Sequence, residues 1–160
     1  MEKIFIVCID DQREVLNAIA SDLAFFEKEL TIEICESASE AWEVIDEIDS
    51  EGNYLGMVIS DHVMPGKNGV EFLIEINSDR RFANTKKILL TGLATHKDTI
   101  SAINKARVDA YIEKPWQKVE LIQKSKELIT QFVLDAGLEY QKFSEILDQA
   151  TLLEGLRHKV

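Results

Sequence analysis

Two kinds of hydrophobic pattern alternate along the chain. Short runs that are apolar at nearly every position, the first being Ile4-Phe5-Ile6-Val7-Cys8-Ile9, are followed by segments whose apolar residues recur at steps of three and four. The alternation repeats five times, which predicts βα units wound around a mostly parallel sheet. An all-apolar first strand belongs at the centre of that sheet, covered by helices on both faces. The first helix turns Val15, Leu16, Ile19, Leu23 and Phe26 inward and leaves Glu14, Asp22 and Glu27 wet. Thr31 to Glu36 alternates more and suits an edge strand. Ser39 is the predicted cap of a helix that runs through Ala41, Trp42, Val44, Ile45 and Ile48 and closes at Gly52. Met57–Ser60 reads as strand three, Val70–Ile76 as helix three and Ile88–Leu90 as strand four. Lys97–Lys105 then reads as helix four and Ala110–Ile112 as strand five. From Trp116 onward the chain reads as helical, with Gly137 as the one glycine before Gly155.

At 160 residues the chain holds one domain with room for an appendage. Its 46% hydrophobic and 29% charged residues are those of an ordinary globular protein. A net charge of −11 is the wrong sign for neutralising nucleic-acid phosphates, so direct nucleic-acid binding is not expected. The apolar run after Met1-Glu2-Lys3 is too short for a signal peptide or a membrane span, which predicts a cytoplasmic location with no membrane contact. Cys8 and Cys35 lie inside strand-like runs and read as buried thiols rather than a bridge.

The chemistry lies at the strand ends. Asp10-Asp11, Asp61, Thr91 and Lys114 each sit at the carboxyl end of a predicted strand, the edge at which open doubly wound sheets hold their ligands. Carboxylates brought together there repel by on the order of 4 kcal/mol per pair at an effective dielectric of about 20, so a cation is required. The side-chain donors are hard oxygens with no histidine or cysteine among them, which selects Mg²⁺ over zinc or copper. A carboxylate beside Mg²⁺, a lysine and a small hydroxyl forms a site for an incoming phosphoryl group, and the chemistry this predicts is covalent phosphorylation of an aspartate.

These residues resemble the response-regulator receiver domain of two-component signalling. The features that carry the resemblance are Asp10-Asp11, Asp61 followed by Met64-Pro65 and Gly69, Thr91-Gly92, and Lys114-Pro115 with Tyr111 three residues earlier. The resemblance covers about Lys3 to Phe132 and rests on five motifs in order, each weak alone. It implies a five-stranded sheet of flavodoxin-like order 2-1-3-4-5 and a phosphoryl acceptor at Asp61, supplied by a sensor histidine kinase or phosphotransfer protein. Mg²⁺ would be bound by Asp11, Asp61 and the Val63 carbonyl, with Asp10 acting through metal-bound water. Lys114 would pair with the phosphoryl group, and Thr91 would swing toward it and let Tyr111 turn inward, remodelling the surface of helix four, strand five and helix five for a partner or output domain. The family varies two positions beside the phosphoryl group, here Val63 and Leu93; both are apolar and would slow self-hydrolysis by excluding water. Gly92 leaves room for the approaching group. The only catalysis implied is the domain's own phosphorylation and dephosphorylation.

Other readings compete with parts of this one. Asp10-Asp11 also fits an Asx turn with Asp11 as the helix cap, and His62 reads as a loop residue because successive extended residues point to opposite sides. His96 and His158 show no partner pattern, and Trp116 fits either packing on helix five or a place near the signalling surface. A phosphohydrolase of the haloacid dehalogenase type places its two strand-one aspartates one residue apart, whereas Asp10 and Asp11 are adjacent. A pseudo-receiver interaction module normally lacks a site residue, and none is missing. The receiver unit is assigned to residues 3–134, leaving 135–160 as a helical extension. That extension fits a heptad through Ile122, Ile129, Ala136, Phe143 and Ala150 and hence a homodimer, or a short helix folded back after a bend at Gly137, or a linker.

Overall fold

A computed structural model describes residues 2–92 and 97–158, the side chains of residues 97–99 and 102 excepted. Five parallel strands form one sheet in the order β2-β1-β3-β4-β5, with β1 at Ile4–Ile9, β2 at Thr31–Cys35, β3 at Tyr54–Ser60, β4 at Lys86–Thr91 and β5 at Ala110–Glu113. Successive side chains of a strand alternate faces, so Ile4, Ile6 and Cys8 join one core and Val7 and Ile9 the other. The first core is closed by α1 (Arg13–Asp22) and α5 (Lys118–Asp135), the second by α2 (Ala38–Ser50), α3 (Gly69–Ser78) and α4 (Lys97–Ala106). This is the predicted doubly wound architecture, with β2 at an edge.

The departures are local and have physical causes. α1 stops at Asp22 and continues as a 3-10 segment, Leu23–Lys28, which tightens the chain so that Leu23 and Phe26 still reach the core. The cap of α2 is Ser37 rather than Ser39, its hydroxyl accepting from the Glu40 N–H at 3.1 Å. β3 starts three residues before Met57; Gly56 interrupts the apolar run there because a Cβ would lie 2.6 Å from Ile4 Cγ2. β4 starts at Lys86 and includes Lys87, a buried lysine whose Nζ is 4.0 Å from Asp109. α4 ends in a turn with Arg107 at φ 53°, closed by Val108 N–H to the Ile103 carbonyl at 3.3 Å.

Cys8 and Cys35 are both free and buried, on neighbouring strands but in opposite cores. Beyond α5 the chain does not continue as one helix. Gly137 takes φ 71°, a conformation that suits a residue without a Cβ, and the continuous heptad is broken there. A 3-10 turn, Tyr140–Phe143, and α6 (Gln149–Arg157) follow. Ile146, Leu147 and Leu152 are buried in the core of α1 and α5. The α6 cap, Asp148, accepts from Thr151 N–H at 3.0 Å and from Gln123 on α5 at 3.0 Å. Gly155 lies where a Cβ would come within 2.3 Å of Leu134, so the two helices meet closely. Among the described residues no helix is long and apolar enough to cross a membrane.

Candidate phosphoryl-acceptor site

Parallel register brings the strand ends to one line. The Asp10 N–H donates to the Cys35 carbonyl at 3.1 Å and the Asp61 N–H to the Ile9 carbonyl at 2.9 Å, so the two acids lie one step beyond adjoining strands. The Lys114 N–H donates to the Thr91 carbonyl at 3.1 Å and fixes the end of β5 beside that of β4. One carboxylate oxygen from each of Asp10, Asp11 and Asp61 lies within 4.8 Å of the others. Lys114 Nζ is 2.9 Å from Asp10 Oδ2 and 3.1 Å from Asp61 Oδ1, and so supplies a counter-charge to both.

Burial divides the acids by role. Asp10 is 1% exposed and also accepts from Gln12 N–H at 2.8 Å, so it is Asp10, not Asp11, that makes the turn into α1. Asp11 is exposed at the mouth of the cluster, and Asp61 lies between the two in accessibility. Burial raises the Asp61 carboxyl above its ordinary range and the Asp10 charge adds to the rise, against the hydrogen bond and charge of Lys114 and the His62 backbone. Burial opposes the Lys114 ammonium, but its hydrogen bonds to Asp10 and Asp61 and their charges outweigh this and hold its pKa up. The chain thus holds Asp61 in an environment that favours a neutral or compensated carboxylate.

The loop after Asp61 closes on itself. The Gly69 N–H donates to the His62 carbonyl at 2.8 Å, and Asn68 caps α3 by accepting from Glu71 N–H at 2.8 Å. A Cβ on Gly69 would stand 1.7 Å from the Asp61 carbonyl oxygen, so only glycine allows this approach. Gly69→Ala is therefore expected to lose about 1–3 kcal/mol of stability, or more if the backbone cannot yield. Chemical denaturation measures this, and a midpoint equal to that of the parent would show that the loop absorbs the methyl group.

Thr91 is buried at the end of β4, while Tyr111 is 54% exposed and Val63 61% exposed. Among the described residues, a Cβ at Gly92 would meet nothing within 4 Å. Leu93 and His96 lie outside the described residues. The His62 carbonyl serves the loop, and its Nδ1 is buried with no hydrogen-bond partner among the described residues. Three features escape a reading of the sequence. Ser60, fully buried, donates to the Asp61 carbonyl at 2.9 Å; its place as the last residue of an apolar strand was the available signal. Trp116 packs against the α1–α5 core and its indole N–H donates to Asp22 at 2.8 Å, tying the segment after Lys114-Pro115 to the end of α1. Trp42 stacks edge-on to Phe72 and donates to Glu75 at 2.9 Å, joining α2 to α3; nothing in the spacing announces either pairing.

A family model described as the response regulator receiver domain matches residues 6–126. The chain belongs to the response-regulator receiver family. The receiver is 28% identical over 158 residues to the response regulator Rre1 of Synechocystis sp., an alignment that covers 96% of this chain and 64% of that protein. It thus spans less than two thirds of that relative's length. It is 30% identical over 120 residues to the chemotaxis protein CheY1 of Helicobacter pylori, covering 74% of this chain and 91% of that one. A solved CheY-like receiver domain protein from Methanospirillum hungatei superposes with a TM-score of 0.69 at 27% identity, covering 84% of this chain and 99% of that chain. Receivers are signalling switches of two-component systems. Members of the family bind Mg²⁺ in an acidic pocket, and the hard-oxygen donors of Asp10, Asp11 and Asp61 fit such a cation.

Proposed function

We propose that this receiver accepts a phosphoryl group on Asp61 from the phosphohistidine of a sensor kinase or phosphotransfer protein. The observation that carries the proposal is the placement of Lys114 within 3.1 Å of Asp61 and 2.9 Å of Asp10 beside the three-carboxylate cluster. In the transfer, an Asp61 carboxylate oxygen forms the new P–O bond while the P–N bond to the donor histidine breaks, and the leaving imidazole keeps the electron pair and takes up a proton. Asp10, Asp11, Asp61 and the Val63 carbonyl would hold Mg²⁺, which supplies charge neutralisation to the phosphoryl oxygens when bound. Lys114 adds a second positive charge, already oriented by its two carboxylate partners. Thr91, buried at the neighbouring strand end, would donate its hydroxyl to a phosphoryl oxygen, and Tyr111, now exposed, would turn inward to alter the α4, β5 and α5 surface.

The receiver unit, residues 3–134, would act in the cytoplasm on a separate protein or on an output domain, with Ile146, Leu147 and Leu152 of the extension packed into its core. Incubation with acetyl phosphate and Mg²⁺ tests the proposal by intact mass. The parent should gain one phosphoryl group and Asp61→Asn none. A parent that takes up no phosphate would return the chain to the reading of a pseudo-receiver interaction module.

The same substitution carries a stability prediction. Because the folded-state pKa of Asp61 is raised, the fold favours its neutral form, and metal-free stability falls as pH rises from the unfolded value through the folded one. Above the folded value the penalty is fully present. Asp61→Asn removes it, so the metal-free variant is expected to melt at or above the parent temperature while losing phosphoryl acceptance. A melting temperature well below that of the parent would show that the Lys114 bond outweighs the cost of burial.

A further inference from the structure

The segment that carries the acceptor, residues 61–68, is anchored away from its own chemistry. Lys67 in this loop pairs with Glu75 on α3 through Oε2, and the other Glu75 oxygen, Oε1, accepts the Trp42 indole N–H from α2 at 2.9 Å. One carboxylate therefore uses both oxygens to join three segments: the acceptor loop, the third helix and the second. Trp42 itself packs against two rings, 5.7 Å from Phe72 and 6.2 Å from Phe82, which hold the α2 end of this chain of contacts. The loop end is less so, because Lys67 and Glu75 are more than one third exposed and can separate and re-form. Open hollows flank Trp42, and one of them is lined in part by Pro65, Gly66 and Lys67, so a shift of the loop alters the indole's surroundings directly.

We propose that Glu75 is a positioning residue for the acceptor loop. Through Lys67 it holds residues 61–68 in the conformation that presents Asp61 and Val63 to metal and phosphoryl group, and through Trp42 it reports the state of that loop to the α2–α3 face. This rests on the assignment of Asp61 as acceptor. It adds to the α4, β5 and α5 surface a second face whose geometry follows the site. Trp42→Phe would keep the ring packing and remove the N–H, and Lys67→Met would keep the aliphatic stem and remove the charge.

The test has two independent readouts. Calorimetric titration of Mg²⁺ and then beryllofluoride into the full chain compares the parent with Lys67→Met, Lys67→Arg and Glu75→Gln. An exposed ion pair of this kind supports a weakening of about two- to fivefold in Lys67→Met and Glu75→Gln, with recovery in Lys67→Arg. Separately, in Trp116→Phe, where Trp42 is the only indole, emission should shift when Mg²⁺ and beryllofluoride are added together, and the shift should vanish when Lys67→Met is added. A purely structural contact would lower the melting temperature without moving that emission. Equal affinities in all variants, or Lys67→Arg as weak as Lys67→Met, or an unchanging Trp42 emission in a chain that binds the mimic, would overturn the proposal. A parent that binds neither Mg²⁺ nor beryllofluoride would instead overturn the assignment of Asp61 itself.

Discussion

Ending the chain after Asp135 is expected to remove on the order of 5 kcal/mol of folding stability. The segment beyond that residue buries Ile146, Leu147 and Leu152 in the same core as Leu16, Phe26 and Phe132. Burying an aliphatic side chain of this size contributes about 1.5–3 kcal/mol, and three of them reach a large share of the roughly 5–15 kcal/mol that holds a small domain folded. Hydrogen bonds lost at the Asp148 cap add to this, and Thr130, which accepts from the Asp148 N–H at 2.8 Å, would lose that partner. Urea denaturation of the shortened chain beside the parent gives the measurement. Equal midpoints would mean that 3–134 folds independently and that the extension only rests on it. The extension therefore bears on any experiment that isolates the receiver, because a boundary drawn at the end of α5 cuts through a core.

Lys114→Met is expected to destabilise the metal-free protein by about 3 kcal/mol. The lysine sits between Asp10, which is 1% exposed, and Asp61, and no other cation is seen within salt-bridge distance of Asp10 or Asp61 among the described residues. Removing one member of a buried charged group costs roughly 3–5 kcal/mol, and the lower end applies because the lysine side chain keeps 23% of its exposure. The test lies in the difference between conditions. Saturating Mg²⁺ should raise the melting temperature of the variant by more than that of the parent, since a divalent cation replaces the missing charge. Equal increments in both proteins would show that the acids in the metal-free state are compensated by water alone.

How far the sequence foretold these features depends on what kind of contact makes them. Strands show well when burial makes them apolar on both faces, as in β1, and poorly where a glycine or lysine interrupts, as at Gly56 and Lys87. Gly56 is there because Ile4 leaves no room for a side chain, a condition set by a residue more than fifty positions away. The candidate site is legible because strand ends follow directly from strand order, so the sequence alone places Asp10, Asp61, Thr91 and Lys114 on one edge. What stayed hidden were pairings between elements with no fixed spacing. Trp116 with Asp22 and Trp42 with Glu75 each join residues 94 and 33 positions apart, and either tryptophan would have fitted several other neighbours. The choice between Asp10 and Asp11 as the turn-forming residue depended on which of two adjacent carboxylates is turned inward. Periodicity does not decide that in a loop. The bend at Gly137 was visible as an option, but its outcome depended on whether α5 offered an apolar surface for Ile146 and Leu152 to cover.

The two thiols carry a practical consequence. Burial holds the Cys8 thiol far above its ordinary range, and burial with the charges of Glu40 and Glu33 pushes Cys35 up to about 12. Neither is present as thiolate at neutral pH, and thiolate is the form that reacts with maleimides or oxidants. A cysteine introduced at an exposed position, Val63 or Tyr111 for instance, would be the only one labelled, with the native pair left in place. Spectroscopic probes can thus be attached in the loop after Asp61 or on the fifth strand without first rebuilding the sheet interior.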